Sequence, residues 1–315
     1  MKDSFKHLVI LLATTLSTCL ILVLAASTQN GEESSYRIFG RRLRVSPRRE
    51  QEIIDSILGP QGLVSGSVAK ATDFPWYAKF EGNVLCGGTV VGNGQFILTA
   101  AHCVDGYTPP QVRVGSSLWN AGGTLYQVTR KWKHPNFNRG ALENDVALLK
   151  ILTTCLPTPV SAKLNNDSTF PSTTGTPLTV IGFGRTRDGG DTSNFLQRLD
   201  VDYIAESECS SGDPLAKLCA DKDGAGSCQG DSGSPIISSD TKAVVGVVSY
   251  GIDGCASSHP DYYARVSTYV DWIESTMAAE MALPQPGSSA SLFSSFQRSS
   301  NQWLSAKWYS LFEEP

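Results

Sequence analysis

Between Leu63 and about Val266 the apolar residues fall in short β-rich runs, among them Gln95–Leu98, Leu178–Ile181 and Val244–Tyr250, separated by Gly, Pro, Asn and Asp clusters. That spacing predicts an all-β barrel or sandwich rather than alternating strands and helices. Val266, Val270, Ile273 and Met277 then recur at helical spacing, which predicts one amphipathic helix at the end of this region. Near the start, Leu8 to Ala26 is an almost unbroken apolar run behind Lys2, Lys6 and His7, closed by Ala25, Ala26 and Ser27. A basic start, an apolar middle and a small-residue end describe a secretory signal peptide over residues 1–27. A signal anchor is the other reading, since the run is nearly long enough to span a bilayer.

Residues 28–62 lack the alternation of a core strand and carry Arg41, Arg42, Arg44, Arg48 and Arg49, the pattern of an exposed pro-segment. Beyond Met277 the chain turns Ser- and Pro-rich, and Leu304, Trp308, Leu311 and Phe312 could share one helical face. Residues 278–315 therefore read as a mobile tail, or as a tail whose helix docks on the domain or a partner. The main domain is left as residues 63–277.

The formal net charge is -4 without a dominant basic patch in the central region, so there is no electrostatic reason to expect nucleic-acid binding. A leader takes the chain out of the cytosol, and this changes how its cysteines read. Cys19 lies in the leader, leaving Cys86, Cys103, Cys155, Cys209, Cys219, Cys228 and Cys255. In an oxidising compartment most of these should pair, and the odd count leaves one over. The triplet Asn166-Asp167-Ser168 is a glycosylation sequon suited to an exposed loop.

Candidate chemistry lies in three segments: Leu98-Thr99-Ala100-Ala101-His102-Cys103, Asn144-Asp145-Val146-Ala147-Leu148-Leu149, and Cys228-Gln229-Gly230-Asp231-Ser232-Gly233-Ser234-Pro235. An alcohol is a poor nucleophile at neutral pH unless a base adjoins it and a carboxylate orients that base. With these motifs in the order His, Asp, Ser, residues 63–277 resemble the chymotrypsin–trypsin family of serine endopeptidases. The resemblance implies an all-β fold of two packed antiparallel six-stranded barrels with a C-terminal helix. It implies His102 as general base, Asp145 as its orienting carboxylate, Ser232 as nucleophile, and the backbone N–H groups of Gly230 and Ser232 as the oxyanion hole. Ser234 departs from the family's usual glycine and would carry strain if its φ were positive.

Leu63-Val64-Ser65-Gly66 resembles the mature N-terminus of such enzymes, so the resemblance implies a zymogen cut between Gly62 and Leu63. The freed α-amino group would then pair with Asp231. Gly62 is unusual, since the family usually has Arg or Lys before the cut. Either the activating protease is not trypsin-like, or trimming follows a cut in the arginine cluster. The quartet Arg41-Arg42-Leu43-Arg44 suits such a cut, matches the Arg-x-Leu-Arg pattern found after signal peptides in oomycete effectors, and equally suits a solvated basic stretch.

Aligned by motif, the floor of the primary pocket is Gly226 beside Ser227, and its walls are Ser249-Tyr250-Gly251 and Pro260-Asp261-Tyr262-Tyr263. Trypsin-like members have aspartate at the floor; here the carboxylate stands on the wall at Asp261. Some crustacean collagenolytic serine proteases are similar in this exchange, which implies a broad or basic-leaning preference. The alternative is that Asp261 pairs with a neighbour and merely narrows the pocket. The family further implies disulfides Cys86–Cys103, Cys209–Cys219 and Cys228–Cys255, and leaves Cys155 free, buried or linked to another molecule; buried and inert is the expectation.

The loop after Gly115 is short and poor in acidic residues, so no metal and no cofactor are expected. Partners would be polypeptide substrates, an activating protease and protein inhibitors of proteases, with no membrane once the leader is gone. The chain would be secreted. The rival reading is a weak or inactive homologue that binds a protein partner or inhibitor through the same cleft. Gly62 favours that rival, and the complete triad argues against it.

Overall fold

The computed structural model describes residues 63–209 and 216–283 in full, together with the backbone of four short strands before them. Two compact units divide the chain, Met1–Pro60 and Gln61–Pro315. In the first, β1 (Leu8–Val9) pairs antiparallel with β2 (Leu24–Ala25), and β3 (Ser34–Ile38) pairs with β4 (Arg41–Val45). The second pair lies within the segment read as lacking core strands. Tyr36 and Leu43 are cross-strand partners in that pair, and such local pairing needs no long alternating run. The tail from residue 284 onward lies outside the described residues.

The second unit contains both expected barrels. In the first, β6 (Tyr77–Glu81), β7 (Gly87–Val91), β8 (Phe96–Thr99), β9 (Gln111–Val114), β10 (Thr124–Lys133) and β11 (Ala147–Ile151) close in the order β10-β11-β8-β7-β6-β9. In the second, β12 (Pro177–Gly182), β15 (Pro235–Ser238), β16 (Val244–Tyr250), β17 (Asp261–Arg265), β14 (Lys217–Asp221) and β13 (Gln197–Ile204) are neighbours in that order, and β12–β13 pairing closes the ring. The short strand β5 (Ser67–Val68) is added on β13. Strand β13 shows why the local sequence folds this way: Gln197, Leu199, Val201 and Tyr203 point inward while Asp200 and Asp202 face solvent.

The helix, α1 (Val266–Met281), runs four residues past the last apolar repeat at Met277. Glu280 accounts for the extension. Its carboxylate is buried against Lys150 Nζ at 3.0 Å and Arg130 Nη1, which anchors the last turn on the first barrel. One apolar cluster fills the first barrel and continues to Ile237, Val247 and Ile273, and another fills the second barrel around Leu178, Val180, Leu199 and Tyr263.

Disulfides join Cys86 to Cys103, Cys209 to Cys219, and Cys228 to Cys255. Cys155 corrects the expectation of a buried thiol: it is free and exposed. It sits with φ 63° in the turn after β11, where neighbouring Leu152 and Leu156 are exposed too. Turns of this kind run over the surface, whatever the apolarity of the residue.

Candidate active site

The end of β8 and the start of β11 pair, with Thr99 opposite Ala147, so the segments carrying His102 and Asp145 meet at one rim of the first barrel. Asn144 has φ 51°, a conformation asparagine tolerates better than most residues, and this turns the next side chain inward. Asp145 is 1% exposed. A buried carboxylate needs hydrogen bonds, and three are present. The His102 backbone N–H donates to Oδ1 at 2.8 Å, His102 Nδ1 lies 2.6 Å from Oδ2, and Ser249 Oγ donates to Oδ2 at 2.6 Å. With Nδ1 held by the carboxylate, Nε2 is the nitrogen left to act as a base.

Ser232 lies between β14 and β15, and lines an open cleft of about 710 Å³ together with His102, Gly230, Arg185 and Asp188. The Ser232 hydroxyl makes no side-chain hydrogen bond among the described residues. Two glycines shape its turn. Gly230 has φ 102°, and a Cβ there would lie 3.2 Å from Gly184 Cα. Gly233 has φ 77°, and a Cβ there would lie 2.2 Å from Thr99 Oγ1. The left-handed position is therefore Gly233 and not Ser234, so the strain considered for Ser234 does not arise.

Asp231 is fully buried, with Oδ1 accepting from Gly184 N–H at 2.8 Å and Oδ2 from Cys228 N–H at 3.0 Å. Burial pushes its carboxyl up to about 7, against the pull of those two donors. Among the described residues it forms no ion pair. Leu63 is also completely buried, with φ 51°. Val64 N–H donates to Gly226 O at 3.1 Å, and Gly226 N–H returns to Val64 O at 3.3 Å. The segment after Leu63 is thus stitched to Gly226.

Asp261 is 8% exposed, and Ser227 holds its Oδ2 from both sides, by N–H at 2.6 Å and by Oγ at 2.7 Å. Its carboxylate fills space that glycines leave open. A Cβ at Gly226 would lie 3.2 Å from Oδ2, and one at Gly251 would lie 2.9 Å from Oδ1. Burial pushes the Asp261 carboxyl up to about 6, opposed by the Ser227 donors. The sequence alternative of a paired Asp261 is thus met at one oxygen and not the other. Beside the pocket, Tyr250 stacks on Tyr262 at 4.7 Å and accepts from Lys217 Nζ at 3.1 Å.

The sulfur atoms of Cys86 and Cys103 and one nitrogen of His102 lie within 4.8 Å of one another, but the two cysteines form a disulfide and have no thiolate to offer a metal. Asn166 is exposed on its loop. Sequence reasoning placed Ser249 only in the pocket wall; its bond to Asp145 spans 104 residues, a pairing no local pattern signals. Lys217 and Tyr77 were missed for the same reason.

Residues 63–273 match the family model described as Trypsin. Trypsin alpha of Drosophila melanogaster is 34% identical over 228 residues, covering 68% of this chain and 87% of its own length. Trypsin alpha-4 of Lucilia cuprina is 33% identical, covering 69% and 88%. The vitellin-degrading protease of Bombyx mori is 34% identical, covering 69% and 86%.

Proposed function

We propose that this chain, which belongs to the trypsin family of serine-type endopeptidases, cuts peptide bonds with Ser232 as nucleophile, His102 as general base and Asp145 as orienting carboxylate. The observation that carries this reading is the bond from buried Asp145 to half-buried His102, which lines the same cleft as Ser232 and Gly230. His102 Nε2 takes the Ser232 proton as Oγ attacks the substrate carbonyl carbon. The N–H groups of Gly230 and Ser232 face the oxyanion, each such donor contributing about 2.7–4 kcal/mol to transition-state stabilisation. His102 then protonates the departing amine, leaving an acyl-enzyme, and water repeats the sequence to release the acid. Asp145 keeps the proton on Nδ1 and stabilises the imidazolium.

The test compares wild type with Ser232→Ala for labelling by an organophosphate serine probe and for peptide cleavage. Loss of a triad nucleophile costs about 10⁶ in kcat. A wild type that stays unlabelled and inactive after correct trimming sinks the reading and leaves the cleft as a binding surface.

Activation is proposed to follow a cut between Gly62 and Leu63. A buried Asp231 with no counter-cation among the described residues favours this, because an α-amino group at Leu63 would neutralise it; breaking such a buried pair costs roughly 3–5 kcal/mol. N-terminal sequencing of active protein should begin at Leu63. The proposed preference at P1 is broad or leaning to Arg and Lys, on the strength of Asp261 between Gly226 and Gly251. The apolar run behind Lys2 and Lys6 supports secretion, with polypeptides as substrates.

A further inference from the structure

Behind the nucleophile, the hydroxyl oxygens of Tyr77 and Ser234 lie 3.2 Å apart, although 157 residues separate them in sequence. Tyr77 is 2% exposed and Ser234 is fully buried. Tyr77 opens β6 of the first barrel, whereas Ser234 stands two residues beyond Ser232 and immediately before β15 of the second. The pair therefore joins the barrel that carries His102 and Asp145 to the loop that carries Ser232.

The space around the two hydroxyls is made for them. A Cβ at Gly87 would lie 2.1 Å from Ser234 Oγ and 2.6 Å from Tyr77 Oη. Gly87 in turn donates its N–H to the Ser232 carbonyl at 2.8 Å. The Tyr77 ring packs on Phe183 with centroids 5.8 Å apart, and Gly184, next to Phe183, donates to Asp231. A single phenol thus touches both segments that clasp the Asp231–Ser232 turn. Burial raises the phenol well above its ordinary pKa, so it stays a neutral hydroxyl across the working pH range.

We infer that Tyr77 is a positioning residue that, through Ser234, sets the Ser232 loop against the barrel bearing His102. The inference rests on Ser232 as the nucleophile. Small displacements matter in such a site, because the attacking oxygen must sit within reach of both base and substrate. Removing the Tyr77 hydroxyl strands buried Ser234 Oγ, whereas removing the Ser234 hydroxyl takes one of two hydrogen bonds from Tyr77, which keeps the Phe183 backbone. In either case the loop shifts to relieve the loss.

The test uses the full chain collected in its active form: wild type, Tyr77→Phe, Ser234→Ala and the double variant. Active sites are counted by stoichiometric serine-probe labelling, and kcat and KM are expressed per labelled site, beside melting temperature. Each single variant should lose about tenfold in kcat with KM changed by less than about twofold. The double variant should fall no further than the worse single, the mark of two residues acting through one bond. Singles that melt earlier but keep wild-type kcat per labelled site would overturn the inference, as would additive losses in the double. Should Tyr77→Phe fail to fold, Ser234→Ala reports on the same bond from its other end. If wild type itself neither labels nor cleaves, the nucleophile reading falls first and this inference with it.

Discussion

Replacing Asp261 with asparagine removes one charge from the pocket while keeping its shape, and so isolates what that charge does for substrate choice. In the wild type burial pushes the carboxyl up to about 6, so raising the pH through that value ionises it. The ionised fraction rises from about one-tenth at pH ~5 to about nine-tenths at pH ~7. Ser227 occupies Oδ2 with two donors, which leaves Oδ1, facing Gly251, for a cationic substrate side chain. A charge-assisted hydrogen bond is worth about 1.5–3 kcal/mol, and one free oxygen places this contact at the lower end. That corresponds to about tenfold in kcat/KM. The assay is kcat/KM for two peptides differing only in Arg or Leu at P1, measured from pH ~5 to ~7.5. Their ratio cancels whatever pH dependence the two reactions share. Because about one-tenth of the carboxyl is already ionised at pH ~5, the Arg-to-Leu ratio should rise about fivefold over this window in the wild type and stay flat in Asp261→Asn. A flat wild-type ratio, or a rise that survives in the variant, refutes the reasoning.

Three further outcomes are expected. Ser249→Ala removes the 2.6 Å donor on Asp145 Oδ2, and steady-state kinetics should show kcat about tenfold lower with KM little changed. Glu280→Ala leaves Lys150 without its 3.0 Å partner; thermal unfolding should show a loss of about 1–3 kcal/mol, or roughly 2–4 °C in Tm for each kcal/mol, with cleavage unaffected. In folded protein without its leader, Cys155 should take up a thiol reagent, and Cys155→Ser should abolish labelling while leaving cleavage intact. An unreactive thiol contradicts its exposure.

Much of the site was legible because its flanking residues have local tasks. Asn144 accepts a positive φ, and Gly230 and Gly233 supply the two sharp bends beside Ser232. Such requirements leave marks in short stretches of chain. Ser234 was harder to read. Whether Gly233 or Ser234 takes the left-handed conformation depends on Thr99 and Gly87, which press on Gly233 from the other barrel. Cys155 was misread because its apolar character says nothing about whether its turn faces outward. The pairing of β3 with β4 escaped notice because local pairing needs no long alternating run.

Strand and helix character follows from patterns a few residues long, because backbone sterics and side-chain alternation act over that range, whereas the two-barrel architecture and the cysteine pairs were implied by the family resemblance that the His, Asp and Ser motifs carry. The protonation of Asp231 and Asp261, the third bond on Asp145 and the contact between Tyr77 and Ser234 were decided by folding. Each depends on how much water is excluded and on which donor arrives from a distant strand. Desolvation and long-range pairing are properties of a neighbourhood, and that neighbourhood exists only once the barrels have closed.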